Sequence, residues 1–81
     1  MITSAQIRAA RGLLDWSRRE LAEKSGVGFS SLLRLESFEG VPSSNVKTLE
    51  ALKKAFEEAG VEFIGTPDDR PGVRLSVSNK P

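Results

Sequence analysis

Eighty-one residues, with 12 Lys and Arg against 11 Asp and Glu, give a net charge of +1 and room for one domain with a thin core. A chain this short buries only ~60–65% of the surface its unfolded state exposes. With no cysteine and no histidine, disulfides, thiolate metal sites and the commonest general base and metal ligand are all missing. No apolar run approaches the roughly 18 residues of a membrane span, and no basic-then-apolar leader opens the chain. The expectation is a soluble cytoplasmic protein without membrane, metal or cofactor.

In chain order, Thr3 and Gln6 occupy capping-box positions, and Ile2 with Ile7 can form the hydrophobic staple of a first helix. Ile7, Ala10, Leu13 and Leu14 recur at helical spacing, and Gly12 is expected to loosen the last turn. A second capping box follows in Ser17-Arg18-Arg19-Glu20, with Trp16 and Leu21 at its staple positions. The second helix is expected over about residues 18–25, and Gly26 supplies the positive-φ stop. A third helix, about 29–37, buries Leu32 and Leu35. Phe38-Glu39-Gly40-Val41-Pro42-Ser43-Ser44 reads as a loop, because Pro42 forbids a continuous helix. A fourth helix, about 45–59, presents Val46, Leu49, Leu52 and Phe56 on one face and ends at Gly60.

After Gly60 the period changes from helical to alternating. Val61-Glu62-Phe63 and Val73-Arg74-Leu75-Ser76-Val77 read as two short strands, separated by the turn formers of residues 65–72. The fold class is therefore mainly α: four helices over residues 1–60, then a short β-hairpin tail over 61–81. Two readings of the tail stay open. Its strands, through Val61, Phe63, Val73, Leu75 and Val77, pair with those of a second subunit, or the hairpin folds over its own helices.

Only Val27 and Gly28 separate Gly26 from the third helix, and so short a glycine-containing turn between two helices makes a helix-turn-helix unit. Arg11, Ser17, Glu20-Leu21-Ala22, Gly26-Val27, Leu32 and Arg34-Leu35-Glu36 together resemble the Cro/cI-type (XRE) helix-turn-helix domain over roughly residues 3–58. The resemblance implies a four-helix repressor-like fold, an internal ion pair between Arg11 and Glu36, and binding to double-stranded DNA. Two departures stand out. The family usually carries a glutamine where this chain has Arg18, and it closes the domain with a fifth helix rather than a hairpin.

Transferred position by position, the resemblance puts Phe29, Ser30, Leu33 and Arg34 where base edges are read. Ser30 suits several bases and Arg34 suits guanine, whereas Phe29 and Leu33 offer only apolar contact, for example with a thymine methyl group. An alternative has Phe29 packed under the start of the third helix. Ser17, Arg18 and Arg19, at the amino end of the second helix, are the first candidates for DNA phosphate. Solvated pairing of these arginines with Glu23 is the competing reading. Ser43, Ser44 and Lys47 are further phosphate candidates, while Glu39 lies where the family often carries a basic residue. Charge is nearly balanced in each half, so DNA affinity has to come from local placement of a few cations.

The function expected is a sequence-specific transcriptional regulator, a homodimer on half-sites about one helical turn, ~10 base pairs, apart. The alternative is a partner-binding module on the same fold, antitoxin-like, that docks through Phe29, Leu33 and Phe38. An enzyme is not expected, since no nucleophile–base constellation or phosphate loop is visible.

Overall fold

Two reciprocal caps fix where the first helices begin. In the computed structural model, which describes residues 2–37 and 46–76, the Thr3 hydroxyl accepts the Gln6 amide at 3.0 Å, and the Gln6 side-chain oxygen accepts the Thr3 amide at 2.8 Å. Helix α1 (Ser4–Leu14) follows and runs through Gly12. It stops at Asp15, whose left-handed φ of 57° lets its amide reach the Arg11 and Gly12 carbonyls. Leu13, expected on the apolar stripe, is exposed; the core on this side ends at Ala10 and the half-buried Leu14. Helix α2 (Arg18–Ser25) opens on the Ser17–Glu20 box, with hydrogen bonds of 3.0 and 2.9 Å. Helix α3 (Phe29–Glu36) begins after Gly28, and α4 is Val46–Glu58.

The core is built from Ile2, Ile7, Ala10, Leu21, Leu32, Leu35, Leu52, Phe56 and Val61. Along α4 the buried face is Leu49, Leu52, Ala55 and Phe56. Val46, placed on that stripe by its spacing, is exposed because it is the helix's first residue and lies a turn beyond the packed region. Phe56 is the centre of an aromatic cluster: Trp16 stacks on it at 5.8 Å between ring centroids, and Phe63 meets it edge-on at 5.9 Å. The hydrophobic entry to α2, the fourth helix and the tail are thereby packed into one core.

Strands β1 (Val61–Thr66) and β2 (Asp69–Leu75) form an antiparallel two-stranded sheet. The strands are longer, and the turn tighter, than the composition of residues 65–72 suggests: only Pro67 and Asp68 intervene between them. A bulge makes this possible. Ile64 pairs with Gly72 and Thr66 with Asp69, so Gly65 faces Arg70 and Pro71 without a one-to-one partner. Pro71 has no amide to offer a ladder and is tolerated at the irregularity. Gly65 and Arg70 both take positive φ there, 76° and 53°.

The hairpin packs over α1 and α4 of its own chain. Val61 is buried, and Phe63 and Val73 lie against the core. Gln6 fastens the sheet to α1, its amide nitrogen donating to the carbonyls of Ile64 at 3.3 Å and Gly72 at 2.9 Å. On the solvent face Glu62 and Arg74 form a cross-strand ion pair at 2.7 Å. That pair holds the Glu62 carboxyl below its ordinary range. Among the described residues no helix is long and apolar enough to cross a membrane.

Candidate nucleic-acid interface

The turn between α2 and α3 is set by Gly26, whose φ of 78° lets its amide close on the Ala22 carbonyl at 2.9 Å. The Ser25 hydroxyl donates to the Leu21 carbonyl and accepts the Val27 amide, which fixes the chain's exit from α2. Gly28 then caps α3 by backbone conformation alone, with no side-chain bond to the first amides of the helix.

Leu32 and Leu35 take the inner face of α3, which leaves Phe29, Ser30, Leu33 and Arg34 together on the outer one. Phe29 and Leu33 are 38% and 43% exposed, so the phenyl ring is not buried beneath the helix start. The Arg19 guanidinium instead lies over that ring, 5.2 Å from its centroid. Arg19 and Phe29 thus join the first turn of α2 to the first turn of α3 on the open side of the unit.

The far end of α3 is bolted to α1. The Ser4 hydroxyl donates to the Leu35 carbonyl at 2.6 Å, and Arg8 donates to the Glu36 carbonyl. The Glu36 carboxylate, almost fully buried, receives two hydrogen bonds from Arg11, at 2.8 and 3.0 Å, and one from Arg18 at 2.8 Å. Arg11 also donates to the Trp16 carbonyl at 3.0 Å. Burial on its own would raise the Glu36 pKa; the hydrogen bonds and charges of Arg11 and Arg18 outweigh it and hold the carboxyl below its ordinary 4.5. The last turn of α3 is therefore held by hydrogen bonds from two other helices, which orients the whole eight-residue rod.

The candidate phosphate residues divide by what already engages them. The Ser17 hydroxyl is occupied as the α2 cap, the Arg18 Nε is given to Glu36, and Arg19 stacks on Phe29. Neither arginine makes the contact with Glu23 that the competing reading gave it. Both remain at the amino end of α2, and Arg19 touches the outer face of α3 through Phe29. Lys47 is exposed in the first turn of α4. Ser43 and Ser44, like Phe38, Glu39 and Val77, which was expected in the second strand, lie outside the described residues. Of the hairpin residues assigned to subunit pairing, Val61, Phe63 and Val73 face their own core, and Leu75 is 45% exposed.

Sequence reasoning missed three side chains that position this face: Ser4, Gln6 and Arg8. A signal existed for two of them. Ser4, Arg8 and Arg11 recur at four and three residues, one helical face, and all three reach the last two residues of α3. Gln6 was visible only as a cap, because its sheet partners lie 58 and 66 residues away.

The family model described as helix-turn-helix matches residues 7–61, which takes in the later part of α1, the whole α2–α3 unit and all of α4. No curated protein matches the chain.

Proposed function

The chain belongs to the Cro/cI-type (XRE) helix-turn-helix family of DNA-binding regulators, and on that footing we propose that it is a sequence-specific transcriptional regulator whose helix α3 enters the major groove. The observation carrying this reading is the outer face of α3: Phe29, Ser30, Leu33 and Arg34 are all exposed on a helix fixed at its far end, while the hairpin packs over α1 and α4 instead. In this reading Ser30 and Arg34 make hydrogen bonds to base edges. Arg18 and Arg19, with Lys47, face phosphate, the helix amides at Ser17 adding to the attraction. Residues 1–60 carry the DNA-binding role, and 61–81 serve as an assembly arm.

Assembly is proposed as a homodimer on an inverted repeat with half-sites ~10 base pairs apart. Three of the hairpin's apolar side chains serve their own core, so a contact between subunits would use the open strand edges and Leu75. Sedimentation equilibrium of the full chain should give twice 8.8 kDa, and Leu75→Asp should shift the mass toward that of one chain. A monomeric parent protein, alone and on its DNA site, would remove the homodimer from the proposal.

The function itself is tested by selecting duplexes from a random pool and titrating salt against binding. Enrichment of a common sequence, with a steep log–log salt slope on random duplex, is the expected result. Failure to bind any duplex at low salt would favour the competing reading, a partner-binding module that docks through the exposed Phe29 and Leu33.

A further inference from the structure

The outer face of α3 carries two kinds of side chain in two parallel rows. Ser30 and Arg34, four residues apart, can donate hydrogen bonds to base edges. Phe29 and Leu33, also four apart, can neither donate nor accept, yet both are exposed. Four residues of helix advance about 6 Å, just under two base-pair steps of ~3.4 Å. In the major groove the one apolar feature of a base edge is a methyl group at C5 of a pyrimidine. We infer that Phe29 and Leu33 form a methyl-reading strip that selects C5-methylated pyrimidines at two positions one or two steps apart, next to the base contacted by Arg34.

Arg19 gives the strip its definition. Its guanidinium lies over one side of the Phe29 ring, 5.2 Å from the centroid, and so favours an orientation that turns the other side of the phenyl group outward. Arg19 is a positioning residue here: it joins the phosphate side of α2 to the reading side of α3 through that ring. The strip is not part of the protein's own packing, since neither Phe29 nor Leu33 belongs to the core. Its polar flanks, Ser30, Arg34 and Arg19, match the acceptor-rich major-groove edge of a duplex better than they match an apolar protein surface.

This inference rests on the DNA-binding reading, and the two fail differently. The methyl group can belong to thymine or to 5-methylcytosine, and the test separates these sources. A duplex selected from the random pool is resynthesised with deoxyuridine replacing each thymine in turn, and with 5-methylcytosine replacing each cytosine. Affinity of the parent protein should fall about fourfold for each contacted thymine that loses its methyl group, the fold-change equivalent to ~0.8 kcal/mol per buried carbon. Where a contacted base is cytosine, methylation should raise affinity by a similar factor. Phe29→Ala should abolish the effect at one position and Leu33→Ala at the other, while Arg19→Ala should weaken the first without touching the second. Tight, selective duplex binding indifferent to every methyl group would overturn the strip and leave the regulator intact. Equal methyl dependence in the parent and both alanine variants would overturn it too. Absence of binding to any duplex would overturn both readings.

Discussion

Arg18 and Glu36 lie 18 residues apart and meet with Nε 2.8 Å from Oε1, so the first residue of α2 is held by the last residue of α3. Arg11 approaches the same carboxylate from α1. One buried charge therefore ties together α1, α2 and α3, the three helices around the candidate interface. Two cations answer one carboxylate, and the cluster keeps a net positive charge beside the amino end of α2.

The two arginines are not equivalent. Arg11 makes the bidentate contact and its side chain is 19% exposed, whereas that of Arg18 is 41% exposed. Removing the main partner of a buried carboxylate costs about 3–5 kcal/mol; removing a half-exposed second partner costs about 1 kcal/mol or less. Urea denaturation should therefore rank Arg11→Ala well below Arg18→Ala in stability. The reverse order would mean that Arg18, not Arg11, carries the pairing of Glu36.

Acid should weaken the same cluster. Because the Glu36 carboxyl sits below its ordinary 4.5 in the folded state, the unfolded chain takes up a proton first as pH falls. The stability contributed by this ion cluster is complete well above pH 4.5 and is lost as pH drops through the folded value. The urea midpoint should fall between pH 6 and pH 3, and Glu36→Gln, less stable at neutral pH, should show a shallower fall. Equal slopes for the two proteins would assign the acid sensitivity elsewhere, with the Glu62–Arg74 pair as the next candidate.

Gln6 couples the hairpin to the helices. It is 3% exposed, completes the α1 cap through its oxygen and donates to both strands through its nitrogen. Gln6→Ala leaves the buried Thr3 amide and two partly buried strand carbonyls without this partner, a loss of about 1–3 kcal/mol. Hydrogen exchange should accelerate first at amides of β1 and β2, with α2 and α3 little changed. Uniform acceleration through the whole chain would show instead that the hairpin and helices open as one unit.

On DNA, a base contact and a phosphate contact should separate cleanly. Arg34→Ala is expected to weaken binding to the selected site by about 1–3 kcal/mol and to relax preference at one position. Lys47→Ala should weaken binding to all sequences alike and reduce the salt slope by roughly one. Lys47 is preferred to Arg18 for this comparison because Arg18 also holds Glu36. Parallel losses across all sequences for both variants would exclude Arg34 from base reading.

What the sequence made legible was mostly local. Both capping boxes and the Gly26 stop depend on residues within four positions of one another, and both boxes form with the expected partners. Periodicity placed Leu32, Leu35, Leu49, Leu52 and Phe56 inside correctly. It misplaced Leu13 and Val46, because a stripe does not reveal where the neighbouring element stops covering it. Alternation misses the turn-side ends of both strands, and in β2 runs past Leu75 to Ser76, for a related reason: Gly65 and Pro71 are poor strand residues singly, and only their meeting in a bulge makes them acceptable. At the candidate interface, the Arg11–Glu36 pair came from family likeness, not from spacing. The Arg18–Glu36 and Arg19–Phe29 contacts required the angle between α2 and α3, which no single-segment pattern contains.

Two glycines with nearly the same φ should respond very differently to alanine. Gly26, at φ 78°, has nothing within 4 Å of the position a Cβ would take. Gly65, at φ 76°, would place that atom 2.1 Å from the Arg70 carbonyl oxygen and 2.8 Å from that of Asp69. Gly26→Ala should therefore carry only the left-handed backbone penalty of about 1–2 kcal/mol. Gly65→Ala adds a collision with backbone that cannot relax without opening the bulge, so its loss should exceed that of Gly26→Ala. Chemical denaturation supplies the comparison, and amide exchange should locate the Gly65→Ala damage in residues 64–72. Equal losses for the two variants would mean that the hairpin shifts register freely, and that the bulge at Gly65 does not hold the strands in place.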